Sequence, residues 1–600
     1  MSAWLSKNEI NSFVGDVLPI KLLSDKDISK ADILWSASDS EIVGIRTFEG
    51  DHPQSISDGA IVTLKKAGKA EIFAEFQGER YTCSVNVREM KHADEKSKLN
   101  YYIGDFHDHM AQTHDPKEFA ERQDQLSIDY VRELKEKSDI DFSIISDHAS
   151  VTNPRDFFKG FVDVEAELPM RTVIFAGSES EITVVEKDRF GIDYKKSGEI
   201  VSVNCDNYIN AESFEEFYDA MSTSPFGICV FAHPYVLGRS VKGIWEFKTE
   251  KLTYEPFRSL MHGIEMGDGT DCESNMLYEA FYSRALDSGF RVSPTCASDG
   301  HKPPRGYDAC PGKTVIMATN GEREALLDSL LNRRFYACES GNVKLYYTVN
   351  GKPAASEIKS ASEYKFHIDI SYFKEDETTV PKRLDVISNY GETVASFSDV
   401  DFTEFDFDVK YDDAAYFYLR FVDSEGRKTW SAPIFTDKSV KIKEQPKLTA
   451  LDKSAFSVTE LESGENAEIL ISGNPLDDWK SKLSAATYVI DMKKEHKISA
   501  VGHYTPYICF KELRAAGIDP RNIVAGFVSK YKLSLSLDGK EWKVVKRGKI
   551  RMYSGEENIC FDTQSARYIK FEVISTAGKE SDLEKYKDNP IIIAELSVFE

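Results

Sequence analysis

Tyr101-Tyr102-Ile103-Gly104-Asp105-Phe106-His107-Asp108-His109 is an apolar run that ends in two histidines one residue apart. Side chains on a strand repeat every two residues, so His107 and His109 point to the same side and can hold one ion together. Three other stretches end in the same way. Ser146-Asp147-His148 follows Phe142-Ser143-Ile144-Ile145, Ala232-His233-Pro234 follows Ile228-Cys229-Val230-Phe231, and Ser298-Asp299-Gly300-His301 follows Val292-Ser293-Pro294-Thr295. Glu179 follows an apolar stretch at 172–176, where a carboxylate could bridge two cations. Ligand-type residues at strand ends are how a βα-barrel builds a metal site.

Seven of the twelve histidines lie between His107 and His301. Imidazoles mixed with carboxylates suit Zn²⁺, Mn²⁺ or Fe²⁺ and argue against a soft thiolate site. The nine cysteines show no CxxC spacing, so a disulfide scaffold is not expected. Cys296 and Cys310, beside the last histidine motif, read as packing residues, and His262 reads as structural.

The chain has 600 residues, which implies about three to five domains. Its net charge of −25 disfavours nucleic acid and anionic membrane as partners. No run of eighteen apolar residues is present, so no transmembrane segment is expected.

Residues 1–90 alternate polar and apolar positions and predict a small β-sandwich. Residues 96–340 alternate strand and helix, with strands at 141–145, 172–176, 227–231, 263–266 and 291–295 and helices at 116–137, 274–288 and 322–333. Repeated βα units predict parallel strands. Residues 341–445 read as a second β-sandwich. A β-rich segment fills 446–600, with Asp538-Gly539 as a hairpin turn. The expected fold class is therefore multidomain, an α/β region of parallel strands flanked by all-β domains.

The ordered set Gly-Asp-Phe-His-Asp-His, Ser-Asp-His, Gly-Ser-Glu, Ala-His-Pro and Ser-Asp-Gly-His resembles the polymerase and histidinol phosphatase (PHP) family. The resemblance implies a distorted seven-stranded barrel with two or three metal ions and hydrolysis of phosphoesters by metal-activated water. The Trp35-Ser36 strand and the Gly68-Lys69-Ala70-Glu71-Ile72 strand are similar to those of bacterial Ig-like (group 2) domains. The phrases around Trp479 and Trp542, Ala566 to Phe571 and the terminal Ile593 to Phe599 resemble a discoidin or coagulation-factor-type C domain, a jelly roll that often binds sugar. Trp479 and Trp542 themselves read as anchors of that module's core.

Carried over motif by motif, the PHP resemblance implies that His107, His109, Glu179 and Asp299 hold a first metal. Glu179 and His233 hold a second, and His148, His301 and His114 a third, with Asp115 competing for the place of His114. The family usually supplies another histidine between the glutamate and Ala-His-Pro, and none occurs here between Glu181 and Phe231. Asp206 or Cys205 then substitutes, or the second ion is weak or absent. Asp105 and Asp147 are expected to orient imidazoles. Glu265 is expected as an acid or base, and Arg305, with Lys302 and Arg239, as neutralisers of a phosphate.

The expected activity is cleavage of a phosphomonoester or phosphodiester in a phosphorylated glycan or other phosphoester substrate, with a carbohydrate bound by the C-terminal domain. Two alternatives stand beside it: hydrolysis of carboxylic esters, amides or carbamates, and glycan adhesion with a degenerate site. The flanking domain types imply export to the cell surface, periplasm or exterior with the leader peptide missing from this chain, a cytoplasmic place staying open.

Overall fold

The computed structural model of the chain describes residues 2–28, 32–48, 56–94, 97–109, 133–134, 139–150, 158, 162, 172–206, 209–234, 255–268, 276–301, 310–374, 380–398, 400–441, 447–506, 513, 515–551, 553 and 555–600. The protein is multidomain and mostly β.

At the N-terminal end two four-stranded sheets enclose a core of Ile20, Leu22, Val62, Ile72 and Val85. Strand Gly68–Phe76 buries Ala70, Ile72, Ala74 and Phe76, and its neighbour Glu79–Arg88 buries Cys83, Val85 and Val87. That two-residue period is the sequence alternation made physical: one face packs, the other meets water.

In the central region strands Asn100–Asp108, Phe142–Ile145 and Val173–Lys187 are parallel neighbours. Strands Ile228–Ala232, Met261–Asp268 and Ser293–Ala297 form a second parallel set. Every residue of Ile228–Ala232 is buried, which its unbroken apolar sequence requires. The sheet turns back on itself: Asp108 bridges Gly300, and the Asp299 N–H donates to the His107 carbonyl at 2.9 Å. The ends of the first and last strands therefore meet.

Strand Asp193–Val203 joins the two parallel sets and runs antiparallel to both. It forms a long hairpin with Val173–Lys187, which replaces a βα crossover at that point. Gly177 makes the pairing possible, because a Cβ there would lie 1.7 Å from the Ser202 carbonyl oxygen. Among the described residues of 96–340 there are four α-helices, Phe214–Ser222, Glu255–Leu260, Tyr278–Asp287 and Arg323–Leu331. The described residues thus trace fewer than seven βα repeats, the number the family resemblance implies. The helix predicted over 116–137 falls outside the described residues except at 133–134. In Phe214–Ser222 the buried Phe214, Phe217, Tyr218 and Met221 recur at helical spacing, and the Ser213 hydroxyl accepts the Glu216 N–H.

The central sheet continues beyond Lys313–Ala318 through Phe335–Cys338 into Lys428–Trp430, Tyr416–Asp423, Pro381–Ser388 and Glu392–Phe397. A four-stranded sheet containing Val343–Val349 and Glu363–Tyr372 shares one core with that extension. In the C-terminal region a six-stranded sheet is built around Thr487–Tyr504 and Glu556–Thr576. The hairpin turn at Asp538-Gly539 joins Val528–Ser536 to Lys543–Lys549, with Gly539 at φ 74°. Trp479 packs on this core and donates Nε1–H to Glu460 Oε2 at 3.3 Å, as an anchor does. Trp542 lies under the ammonium of Lys570, 4.6 Å from the ring centre.

Candidate metal centre

His107, His109, His148, Glu179, His233, Asp299 and His301 come from five separate stretches of chain and converge on one place. His107 Nε2 lies 3.0 Å from His109 Nε2, 3.3 Å from Glu179 Oε1 and 3.5 Å from Asp299 Oδ1. His233 Nε2 lies 3.1 Å from Glu179 Oε1, and His148 Nδ1 lies 2.8 Å from Glu179 Oε2. His148 Nε2 and His301 Nε2 are 3.0 Å apart, and the His109 ring stacks between theirs at 4.5 and 4.2 Å. Glu179 is thus the hub.

Local backbone bonds set this geometry. The Glu179 N–H donates to the Asp147 carbonyl and the Ala149 N–H to the Glu179 carbonyl, which lays His148 beside Glu179. Asp299 holds a left-handed backbone at φ 48°, rare for a residue other than glycine, and so turns its carboxylate toward His109, 3.0 Å away.

Three groups of donors emerge, each with its ligand atoms within 4.8 Å of one another. One is His107, Glu179, His233 and Asp299, a second His109, His148 and His301, and a third His148, Glu179 and Glu199. Their chemistry fits divalent cations. Glu179 Oε2 is buried and, despite His148 Nδ1 at 2.8 Å, meets no donor in hydrogen-bonding geometry, and His109 Nδ1 is buried without a hydrogen bond. Among the described residues, no Lys or Arg pairs with Glu179, Glu199, Glu265 or Asp299. Glu179 and Glu265 are fully buried and Glu199 and Asp299 partly so, and buried carboxylates need positive charge close by.

The electrostatics carry the same imprint. Burial and the nearby His148, His107 and His301 imidazoles hold His109 well below the ordinary histidine range, and so neutral. Burial opposes ionisation of Glu179, but the adjoining His107 and its fellow imidazoles outweigh it and keep the carboxylate ionised. Burial, with Glu179 close by, pushes Asp299 up to about 6 and Glu199 up to about 7. Burial opposes protonation of His107 and His148, but Glu179 and the other carboxylates around them outweigh it and raise both, so the positive charge facing these carboxylates is held on imidazoles.

Glu265, expected as an acid or base, meets two of the histidine stretches. It is fully buried; Oε1 lies 2.7 Å from His107 Nδ1, and Oε2 accepts the His233 N–H at 2.5 Å. It holds two ligand-bearing stretches in place and turns His107 Nε2 inward. Asp105 does not orient an imidazole: its Oδ1 accepts the N–H groups of His107 and Ser298. Asp147 Oδ1 stands 3.8 Å from His109 Nδ1, too far for a hydrogen bond, and the residue acts on the cluster through its carbonyl. His114, Asp115, Arg239, Lys302 and Arg305 lie outside the described residues.

Neither proposed substitute for the missing histidine reaches the centre. The Cys205 thiol faces the Val203 carbonyl and Met221, and Asp206 accepts the hydroxyls of Thr63 and Ser224. Glu199, which the motifs did not single out, is there instead, with Oε2 3.4 Å from His233 Nδ1. Strand parity was the available clue. Glu199 shares its face with Val201 and Val203, both core residues, so its carboxylate points inward. His262 is structural as read: it is buried, its Nδ1 lies 2.7 Å from the Leu260 carbonyl, and burial beside Arg333 lowers it to about 3. Cys296 and Cys310 are buried cysteines, and the Cys310 thiol faces the Ala297 carbonyl.

Residues 510–584 match the F5/8 type C domain, and the C-terminal region is a domain of that type. No curated protein matches the chain. Among solved structures, part of the chain is similar to a family 32 carbohydrate-binding module of Clostridium perfringens in complex with GalNAc-β-1,3-galactose. Identity is 17%, with 25% of this chain and 100% of that chain covered and a TM-score of 0.20. The family 32 module of C. perfringens NanJ in complex with galactose is 20% identical, covering 26% of this chain and 99% of its own, with a TM-score of 0.20. The C-terminal domain of a chitobiase from Bacteroides fragilis is 20% identical, covering 25% and 96%, with a TM-score of 0.18.

Proposed function

We propose that residues 96–340 form a metal-dependent hydrolase of the PHP kind, its curled sheet a distorted (β/α)7 barrel, that cleaves phosphomonoesters or phosphodiesters. The observation that supports it is the convergence of five imidazoles with Glu179 and Asp299 around a buried carboxylate oxygen that meets no donor in hydrogen-bonding geometry. Two or three divalent cations, Zn²⁺, Mn²⁺ or Fe²⁺, would be held by His107, His109, His148, Glu179, His233, Asp299 and His301. When bound they supply Lewis-acid polarisation of the scissile group and acidify water. The chain's own residues prepare the place: Glu265 fixes the direction of His107, burial keeps His109 neutral, and the carboxylates supply the charge that retains the ions.

The substrate in this reading is a phosphorylated carbohydrate or cell-envelope glycan, brought to the centre by the F5/8 type C domain, on an exported protein. The N-terminal sandwich is read as a bacterial Ig-like (group 2) domain.

Elemental analysis of purified protein should find two or more transition ions per chain, and chelation should abolish turnover of p-nitrophenyl phosphate or its bis-ester. Turnover of acyl esters but not phosphates would move the scissile bond to a carbonyl. Glycan binding with metals restored and no turnover at all would make the protein an adhesin.

A further inference from the structure

We propose that Glu199 is a metal ligand, holding a cation together with Glu179 and His148. The inference rests on the metal reading above and assigns a ligand that none of the sequence motifs contains.

The register of the hairpin carries the argument. Glu179 pairs with Val201 across the two strands, so Glu199, two residues along, is its diagonal neighbour on the same face. On its other side Glu199 pairs with Ala232, the residue before His233. One carboxylate is thereby set between the Glu179 hub and the Ala-His-Pro turn. Its ligand oxygen lies within 4.8 Å of those of Glu179 and His148, and 3.4 Å from His233 Nδ1. The independent mark of a ligand is Glu179 Oε2, a fully buried atom that lies 2.8 Å from His148 Nδ1 and yet meets no donor in hydrogen-bonding geometry. A histidine at this place would give a nitrogen-rich group; two carboxylates and one imidazole make an oxygen-rich one, which suits Mn²⁺ or Fe²⁺ better than a softer ion.

The test uses the full chain, stripped with a chelator, reloaded with Mn²⁺, and followed by elemental analysis, calorimetric titration and Mn²⁺ electron paramagnetic resonance. Wild-type protein should bind at least two ions. E199A should lose one of them, or bind it at least tenfold more weakly, while the other keeps its affinity. E199H should restore the count and alter the resonance spectrum, since a nitrogen replaces an oxygen. E199Q, which keeps the side-chain volume, should behave as E199A and covers the case in which E199A does not fold. Wild-type protein that binds neither Mn²⁺ nor Zn²⁺ would overturn the metal reading itself. Wild-type protein that binds two or more ions, with E199Q matching it in count, affinity and spectrum, would overturn the assignment of Glu199 alone.

Discussion

The Arg189 guanidinium meets the Glu556 carboxylate twice, Nε to Oε2 at 2.5 Å and Nη2 to Oε1 at 2.7 Å. Arg189 sits at the tip of the hairpin whose two arms carry Glu179 and Glu199, and Glu556 opens a long strand of the C-terminal sheet. Asp188 accepts the Tyr504 hydroxyl at 2.7 Å and Phe190 meets the Tyr504 ring edge-on at 5.6 Å. The C-terminal domain is therefore fastened to the element that supplies two carboxylates of the candidate centre. Since Arg189 is 37% exposed, solvent screens the pair. A double-mutant cycle of R189A and E556A should give a coupling of about 1 kcal/mol in denaturant unfolding. Additive losses would show that the pair contributes nothing.

Glu265 touches His107 and the His233 backbone and no other ligand group among the described contacts. E265A should weaken the tightest Mn²⁺ or Zn²⁺ site by about 10–100-fold, the usual cost of removing a group that orients a ligand. E265Q, which still accepts a hydrogen bond, should lose less. Equal affinities for wild type and E265A in calorimetric titration would contradict the positioning role.

Arg420 ties the third and second regions of the chain together. Its guanidinium bonds Glu279 at 2.9 Å on both carboxylate oxygens and Asp385 at 2.8 Å. Truncating it leaves Glu279 poorly solvated and without its bonded cation, while Asp385 keeps Arg383 at 2.9 Å, so R420M should cost about 3 kcal/mol in urea unfolding. Burial opposes ionisation of Glu279, but Arg420 outweighs it and lowers it to about 2. A depressed folded value means that the stabilisation is present above the ordinary glutamate range and is lost as the pH falls from about 4.3 toward that value. R420M should remove this acid-side slope, read from unfolding curves between those limits.

Glu339 has the opposite sign. Burial raises it to about 8, against the pull of Lys428, whose N–H its Oε2 accepts at 2.7 Å. A raised carboxyl favours the protonated fold, so stability is lost as the pH climbs from about 4.3 toward 8. E339Q keeps an acceptor for the Lys428 N–H and has no proton to lose. It should exceed wild type at pH 9 by on the order of 2–4 kcal/mol, with little difference at pH 5. Parallel unfolding curves at the two pH values would rule out a buried neutral carboxyl.

What the sequence made legible was whatever is periodic or local. The alternation in Gly68–Phe76 foretold its buried face, and the apolar runs before His107, His148, His233 and Asp299 foretold strands ending at one place. Glu199 was illegible to motif reading because its place depends on the register of a hairpin joining two distant stretches. Glu265 was noticed, but its role depends on which imidazole nitrogen it meets, and that is set by tertiary packing. The Val173–Lys187 and Asp193–Val203 hairpin was hidden for a related reason. Between the strands read at 172–176 and 227–231 the chain turns back in strand pairing, which depends on the missing Cβ of Gly177 against the Ser202 carbonyl.

Metal removal should destabilise the centre itself. The carboxylates of the cluster repel one another in part, since Glu179 adds to burial in raising Asp299 and Glu199. A cation that binds the fold and not the unfolded chain adds stability by mass action, about 2.7 kcal/mol at a hundredfold excess over its dissociation constant. Chelated protein should therefore unfold at lower temperature than protein held with Mn²⁺, and Mn²⁺ should restore the transition in proportion to the logarithm of its concentration. D299N, which removes one ligand charge from the His107 group, should flatten that dependence without abolishing it, because the His148, Glu179 and Glu199 group stays intact. A melting temperature indifferent to chelator in wild-type protein would mean that these residues are held together by their own hydrogen bonds and not by an ion.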